Sequence, residues 1–326
     1  MKGKILTLLR QDSQVISGEA LSAELGISRV SVWKHIQALR QAGYDIAGTA
    51  KGYGLKSEPD TPFGWEFGAR ENQIFYCDRV TSTMDVARTL SRKGCPSMTV
   101  VVADRQTRGR GRLKRQWRSQ VGGLYFTVVT RPAVGPMLAG RLNFYAAAVL
   151  AQTLDEHLQV AARVKWPNDI LVGEKKLCGL LAEMAAEGDQ VDFVNIGIGI
   201  NVNNAPQTSE PQATDLKTLV GRDVSRKHLL AVFLDRFESE LAQATEPAVI
   251  ERWKRYAATL QRSVKVVTTR GTFYGKAVDV DDQGGLIIVE PSGARRTVVY
   301  GDCFHQAPAG SEACAPPPHQ TRKIDP

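Results

Sequence analysis

Across Pro59 and Pro62 the spacing of apolar residues changes, and that change divides the chain into parts that fold by different rules. Proline fixes φ, donates no backbone hydrogen bond and restricts the residue before it, so regular structure is not expected to run through this stretch. Ahead of it, Ile5, Leu6, Leu8 and Leu9 recur as on one face of a helix, followed by "SGEALSAELGISRVSVWKHIQALRQAG". Ser17 is placed to cap a short helix with Ala20, Leu21 and Leu25 turned inward, and Gly26 supplies a tight turn. Ser28 caps a second helix with the inward stripe Val32, Ile36 and Leu39, which stops at Gly43. Two short helices joined through a glycine turn predict a helix-turn-helix, and "YDIAGTAKGYGL" adds a β-hairpin wing. Residues 1–60 are expected to be a winged helix-turn-helix DNA-binding domain. It would read DNA through Ser28, Arg29, Ser31, Lys34 and His35, with Gln37 beside them and Lys51 near the wing tip.

From Phe63 onward, strand-like runs alternate with helical ones: "NQIFYCDRV", the capped "TSTMDVARTLSRKG", "MTVVVADRQ", "GGLYFTVVTR" and the long "GRLNFYAAAVLAQTLDEHL". The run from Ala162 to Asn203 reads as a meander turning at Gly173. Residues 63–261 are expected to form a catalytic α+β domain with a mixed or antiparallel sheet. Residues 262–306 alternate strands with D-D-x-G-G and P-S-G turns and are expected to close into a small barrel. The Pro-rich, polar residues 307–326 are expected to be a disordered tail.

A net charge of +8 is compatible with a polyanionic partner without specifying one. The cysteines Cys77, Cys95, Cys178, Cys303 and Cys314 show no C-x-x-C pairing, which suits reduced thiols and excludes a zinc-ribbon or disulfide framework. No export signal is visible at "MKGKILTLLR", and no apolar run approaches the ~18 residues of a membrane helix. The chain is therefore expected in the cytoplasm, without a membrane partner.

Chemistry concentrates in two places. "TRGRGRLKRQW", residues 107–117, packs five cations and two glycines into eleven residues. Arginine forks suit phosphate and carboxylate oxygens, glycines admit close backbone approach, and Trp117 offers a flat face for stacking. A loop carrying so many like charges is expected to stay mobile until an anion arrives. The second place is "VKWPNDILVGEKKLCGLLAEM", where a turn presents Asn168 and Asp169 after Lys165, and Lys176 returns just before Gly179. A solvated basic loop and a common P-N-D turn are the ordinary explanations of each alone. Together they suggest a site joining a carboxylate to a nucleotide phosphate.

These motifs, GRGR-x-x-R-x-W from Gly109 to Trp117 and KWPND to Gly179 with KKLCG inside, resemble those of biotin protein ligases. With the helix-turn-helix in front, residues 1–306 resemble the bifunctional bacterial ligase that also represses the biotin operon. The resemblance implies an SH3-like β-barrel at the C-terminus. It also implies ATP and Mg²⁺ with biotin as substrate, and biotinyl-5′-AMP as intermediate and corepressor. The biotin carboxyl carrier protein of acetyl-CoA carboxylase would accept the biotin, and a homodimer would bind biotin operator DNA.

Carried residue by residue, the resemblance puts biotin against Ser82, Thr83, Met84, Gln106, Arg110, Gly111, Arg112, Lys176 and Gly179. Met84 departs from the family's asparagine, which puts one polar contact to the biotin ring in question. Gly109, Arg115, Trp117, Lys165, Asn168 and Asn201 would meet ATP or the adenylate, with Asn168 near magnesium. Arg110, Arg112, Lys176 and Asp169 would carry the chemistry. The alternatives are a biotin-sensing transcription factor without ligase activity, or a lipoate or other acyl-carrier ligase on the same fold.

Overall fold

The computed structural model describes residues 1–11, 15–132, 136–188, 190–204, 212–241 and 246–306. The expected tail 307–326 lies outside them. The chain resolves into two compact units, Met1–Ala258 and Thr259–Pro326.

The first unit begins with helices α1 (Lys2–Gln11), α2 (Gly18–Leu25) and α3 (Arg29–Gln41), then the hairpin β1 (Asp45–Thr49) and β2 (Gly52–Ser57). Local chemistry sets these bounds. Ser17 Oγ accepts from Ala20 N and Ser28 Oγ from Ser31 N, while Gly26 takes the left-handed conformation at φ 64°. Ile5, Leu6, Leu21, Val32, Ile36 and Leu39 are all fully buried together, the core of a winged helix-turn-helix. Gly52 (φ 140°) lets the wing close against the segment before α2, where Ile16 and Tyr53 exchange backbone hydrogen bonds of 2.9 and 2.8 Å. A Cβ there would overlap Ile16 O.

The proline-bearing linker is tied to the central sheet. Phe63 stacks on Trp65 at 4.4 Å and meets Tyr76 edge-on at 4.8 Å. Arg226, nearly buried, donates to Asp60 Oδ2 at 3.2 Å and to Asp104 Oδ1 at 2.8 Å.

The central sheet comprises β3 (Ile74–Val80), β4 (Thr99–Arg110), β5 (Gln116–Ser119), β6 (Leu124–Thr130), β7 (Ala162–Lys165), β8 (Asp169–Val172), β9 (Lys175–Glu187) and β10 (Gln190–Ile200). Its order is β3-β4-β6-β10-β9-β8-β7, with β5 paired to the outer end of β4. Only β3 and β4 run parallel; every other neighbour is antiparallel. Helix α4 (Thr83–Arg92) packs on β4, β6 and β10, while α5 (Pro136–Leu158) lies against β7, β9 and β10. Buried alanines 146, 147, 148 and 151 let α5 approach the sheet closely. After the short α6 (Leu216–Val220), α7 (Arg226–Leu241) and α8 (Glu246–Tyr256) pack against α5.

Strand β10 explains which face can hold a ligand. Side chains alternate along a strand. Val194, Ile196, Ile198 and Ile200 fill one face; Phe193, Asn195, Gly197 and Gly199 make the other. Phe193 packs with Ala87 of α4, and Asn195 Oδ1 accepts from Ser91 Oγ at 2.8 Å. Beyond them the two glycines leave that face bare.

The second unit holds β11 (Ser263–Thr268), β12 (Gly271–Val280), β13 (Leu286–Val289), β14 (Arg295–Val298) and β15 (Asp302–His305), in the order β14-β13-β12-β11-β15. This corrects the expected SH3-like barrel: the sheet is open among the described residues. Closure requires the two outermost strands to pair. Here β15 is bound to β11 and β14 to β13, at opposite edges. Arg295 and Arg296 are exposed on β14, the kind of charged edge that discourages further pairing.

Candidate active site

Gly199 lies opposite Gly179 in the β10–β9 register, so two facing positions lack side chains. The Trp117 indole occupies that space. A Cβ on Gly199 would stand 2.5 Å from Trp117 Nε1, and one on Gly179 2.9 Å from Cζ3. Trp117 Nε1 is buried without a hydrogen-bond partner. Two residues along β10, Met84 covers Gly197 in the same way, its Sδ 2.6 Å from where a Cβ would be. A ring and a thioether thus lie side by side on a glycine floor.

Lys176 is the second residue of β9 and is anchored by its backbone, which exchanges hydrogen bonds of 2.6 and 3.0 Å with Gln212 O and Thr214 N. Its Nζ sits 2.7 Å from Asp169 Oδ1 and 5.4 Å from the Trp117 ring centroid. Asp169 opens β8, paired across to Lys165 on one side and Gly179 on the other. The peptide Trp166–Pro167 that precedes this turn is cis. Asn168 Nδ2 donates to Leu180 O, and its Oδ1 faces Arg112 Nη1 at 3.4 Å.

The basic stretch is not an open loop. Strand β4 continues to Arg110, turns over Arg112–Lys114, and returns as β5 with Gly109 opposite Trp117. Leu113 and Lys114 both adopt positive φ, 54° and 61°, and Gly111 N donates to Arg115 O at 2.9 Å. The sequence motif supplies the glycines, but not the acids that answer its charge. Arg110 pairs with Glu183 and with Asp85 at 3.1 Å, and Glu183 also binds Arg88. Arg110 is therefore held by carboxylates of α4 and β9, while Arg112 faces Asn168. Arg115 is exposed on the turn.

At the other end, Gln106 Oε1 accepts from Thr83 N at 2.8 Å and Thr83 Oγ1 at 3.2 Å, and Gln106 Nε2 donates to Ser119 Oγ at 2.8 Å. Ser82, fully buried, caps α4, and Thr127 Oγ1 donates to Thr83 Oγ1 at 2.9 Å. Burial pushes the Cys178 thiol well above its usual range, so it is inert rather than nucleophilic. Asn201 follows β10, and its Nδ2 donates to Thr214 O at 3.0 Å while Oδ1 accepts from Asn204 at 3.4 Å. Among the described residues no three His, Cys, Asp or Glu side chains gather to hold a metal. No described helix is long and apolar enough to cross a membrane.

On the helix-turn-helix module, Arg29, Lys34 and Lys51 are exposed. Ser28 and Ser31 hydroxyls bond each other at 3.0 Å. His35 is half-buried, its pKa lowered by burial and by the nearby N-terminal ammonium and Lys2. Val30 and Trp33, which sequence reasoning passed over, are exposed instead. Their i, i+3 spacing away from the Val32, Ile36, Leu39 stripe was the available signal.

Comparison with known proteins agrees over most of the chain. Residues 76–201 match the Biotin/lipoate A/B protein ligase family, residues 2–54 an HTH domain, and residues 259–306 the Biotin protein ligase C terminal domain. The bifunctional ligase/repressor BirA of Bacillus subtilis is 37% identical over 300 residues, covering 87% of this chain and 92% of that protein. Biotin protein ligase from Aquifex aeolicus, solved with biotin and ATP, superposes with a TM-score of 0.62 at 31% identity, over 72% of this chain and 98% of that one. The Leishmania major ligase, solved with biotinyl-5-AMP, gives a TM-score of 0.51 at 26% identity, over 69% and 98%.

Proposed function

The chain belongs to the bifunctional biotin ligase/repressor family, and from that membership we propose how its residues divide the work. It is an ATP-dependent biotin protein ligase that makes biotinyl-5′-AMP from biotin and ATP, passes biotin to a carrier-protein lysine, and carries a repressor's DNA-binding module. The observation that carries the assignment of residues is the meeting of Lys176 and Trp117 on the glycine floor, with Asp169 paired to Lys176 and Arg112 facing the neighbouring Asn168.

In the first step a biotin carboxylate oxygen attacks the α-phosphorus of ATP, and pyrophosphate departs with the bonding pair. Lys176 and Arg112 are placed to offset the charge that grows on the phosphoryl oxygens, a role typically worth ~3 kcal/mol per donor. Trp117 offers its indole to adenine. Magnesium bound with the nucleotide would supply charge neutralisation at the phosphates, and Asn168, whose Oδ1 faces Arg112 Nη1 at 3.4 Å, is the residue that would hold it. Arg110, bound to Glu183 and Asp85, fixes the flap over the site and so keeps water from the mixed anhydride. Thr83, Gln106 and Met84 would line the biotin ring end, with Met84 replacing a polar contact by an apolar one.

In the second step the neutral amine of the carrier lysine attacks the anhydride carbonyl and AMP leaves. Once Lys176 turns to the phosphate, Asp169 is free to orient that amine and accept its proton. The acceptor is a biotin carboxyl carrier protein. Repression uses a homodimer, because one module gives little affinity at physiological salt. Both activities place the protein in the cytoplasm. Incubation with labelled biotin, ATP, magnesium and an apo-carrier tests the assignment: labelled carrier is expected, and an unlabelled one contradicts it.

A further inference from the structure

Helix α3 exposes two large apolar side chains, Val30 at 63% and Trp33 at 52%, while Val32, Ile36 and Leu39 are fully buried. With 3.6 residues per turn, Val30, Trp33, Lys34 and Gln37 share the face turned away from that core. Leaving both in water is unfavourable unless something apolar covers them in use. The indole N–H is not free to read a base edge. With the Gln37 amide oriented to satisfy its neighbours, Gln37 Oε1 accepts from Trp33 Nε1 at 3.2 Å and from Arg40 Nη1 at 3.1 Å. What Trp33 presents outward is therefore carbon. Both side chains line an open groove of about 880 Å³ between α3 and the wing, whose charged lining is the cations Arg29, Arg40 and Lys51 against the single acid Glu19. Cations at the rim suit the phosphates that flank a major groove, and the apolar group a base pair displays there is the thymine 5-methyl.

We propose that Val30 and Trp33 read thymine methyl groups in the operator, making α3 an apolar reader flanked by phosphate contacts. The proposal rests on the repressor reading above, and deepens it by naming what the helix recognises. Full-length protein with biotin, ATP and magnesium is used to select duplexes from a random library, and the selected duplex is resynthesised with deoxyuridine for thymine. Fluorescence anisotropy at fixed salt should show binding weakened at least about fourfold per contacted thymine, roughly the worth of one buried methyl group. The double variant Val30→Ala, Trp33→Ala should bind both duplexes alike, and either single variant should keep part of the difference. Equal affinity of the unaltered protein for the thymine and deoxyuridine duplexes overturns the proposal, as does selection of duplexes whose shared site contains no thymine. Recovery of no duplex at all overturns the repressor reading itself, a different failure.

Discussion

Lys176 Nζ stands 2.7 Å from Asp169 Oδ1, so the site's lysine and its carboxylate hold each other. In the proposed mechanism an incoming carboxylate and phosphate compete for that ammonium and release Asp169, so that the two groups serve successive steps. Lys176→Met should lower adenylate formation by about 10²–10³-fold, the usual cost of losing a preorganised donor. Pyrophosphate release with biotin and ATP measures this. Asp169→Asn should instead slow transfer most, read as single-turnover labelling of apo-carrier from preformed adenylate. Equal losses in both steps for both variants would contradict the division.

Gly199 and Gly179 are bare because Trp117 lies on them. Gly199→Ala would push a methyl into the indole, whose Nε1 is 2.5 Å from that point. Displacing the ring should lower kcat/KM for ATP by up to about 10²-fold, as small misplacements do, with the fold intact. Steady-state kinetics at varied ATP, beside an unchanged circular dichroism spectrum, checks it.

Arg226 joins the linker to the central sheet, holding Asp60 and Asp104 at once. Its side chain is 9% exposed and Asp104's 15%. Arg226→Met leaves two carboxylates without their cation, and should cost about 2–3 kcal/mol of stability, below the full cost of breaking a buried pair because Asp60 remains a third exposed. Urea denaturation reads the difference.

Glu58, in the same linker, pairs with Lys227 and Arg10. Burial alone would raise its pKa, but those two cations outweigh it and hold the carboxyl below the usual glutamate range. A pKa lowered on folding stabilises the fold above the unfolded value, and that contribution disappears as pH falls through the folded one. The stability gap between the natural protein and Glu58→Gln should therefore be widest near neutrality and close below about pH 4. Urea midpoints across pH 3–7 test this, and a gap independent of pH would contradict it.

What could be read in the sequence was local. Ser17, Gly26 and Ser28 announce the helix-turn-helix because caps and left-handed turns are decided by neighbours. The GRGR and KWPND stretches announce a nucleotide-carboxylate site by residue type. Asp85 and Glu183, which tie down Arg110, were invisible because α4 and β9 meet the flap only in the folded sheet. Asn201 was matched by motif, and its bond to Thr214 O, made across a later loop, could not be read there. The C-terminal barrel failed for a similar reason: alternation predicts strands, but whether β14 and β15 join is a long-range outcome.

A crystal structure with a non-hydrolysable biotinyl-5′-AMP analogue measures the central relationship directly. The account predicts Lys176 Nζ and an Arg112 nitrogen both within about 3 Å of the ligand's phosphoryl or carboxyl oxygens, with adenine against Trp117. A ligand seated elsewhere, with Lys176 still paired to Asp169, would contradict it.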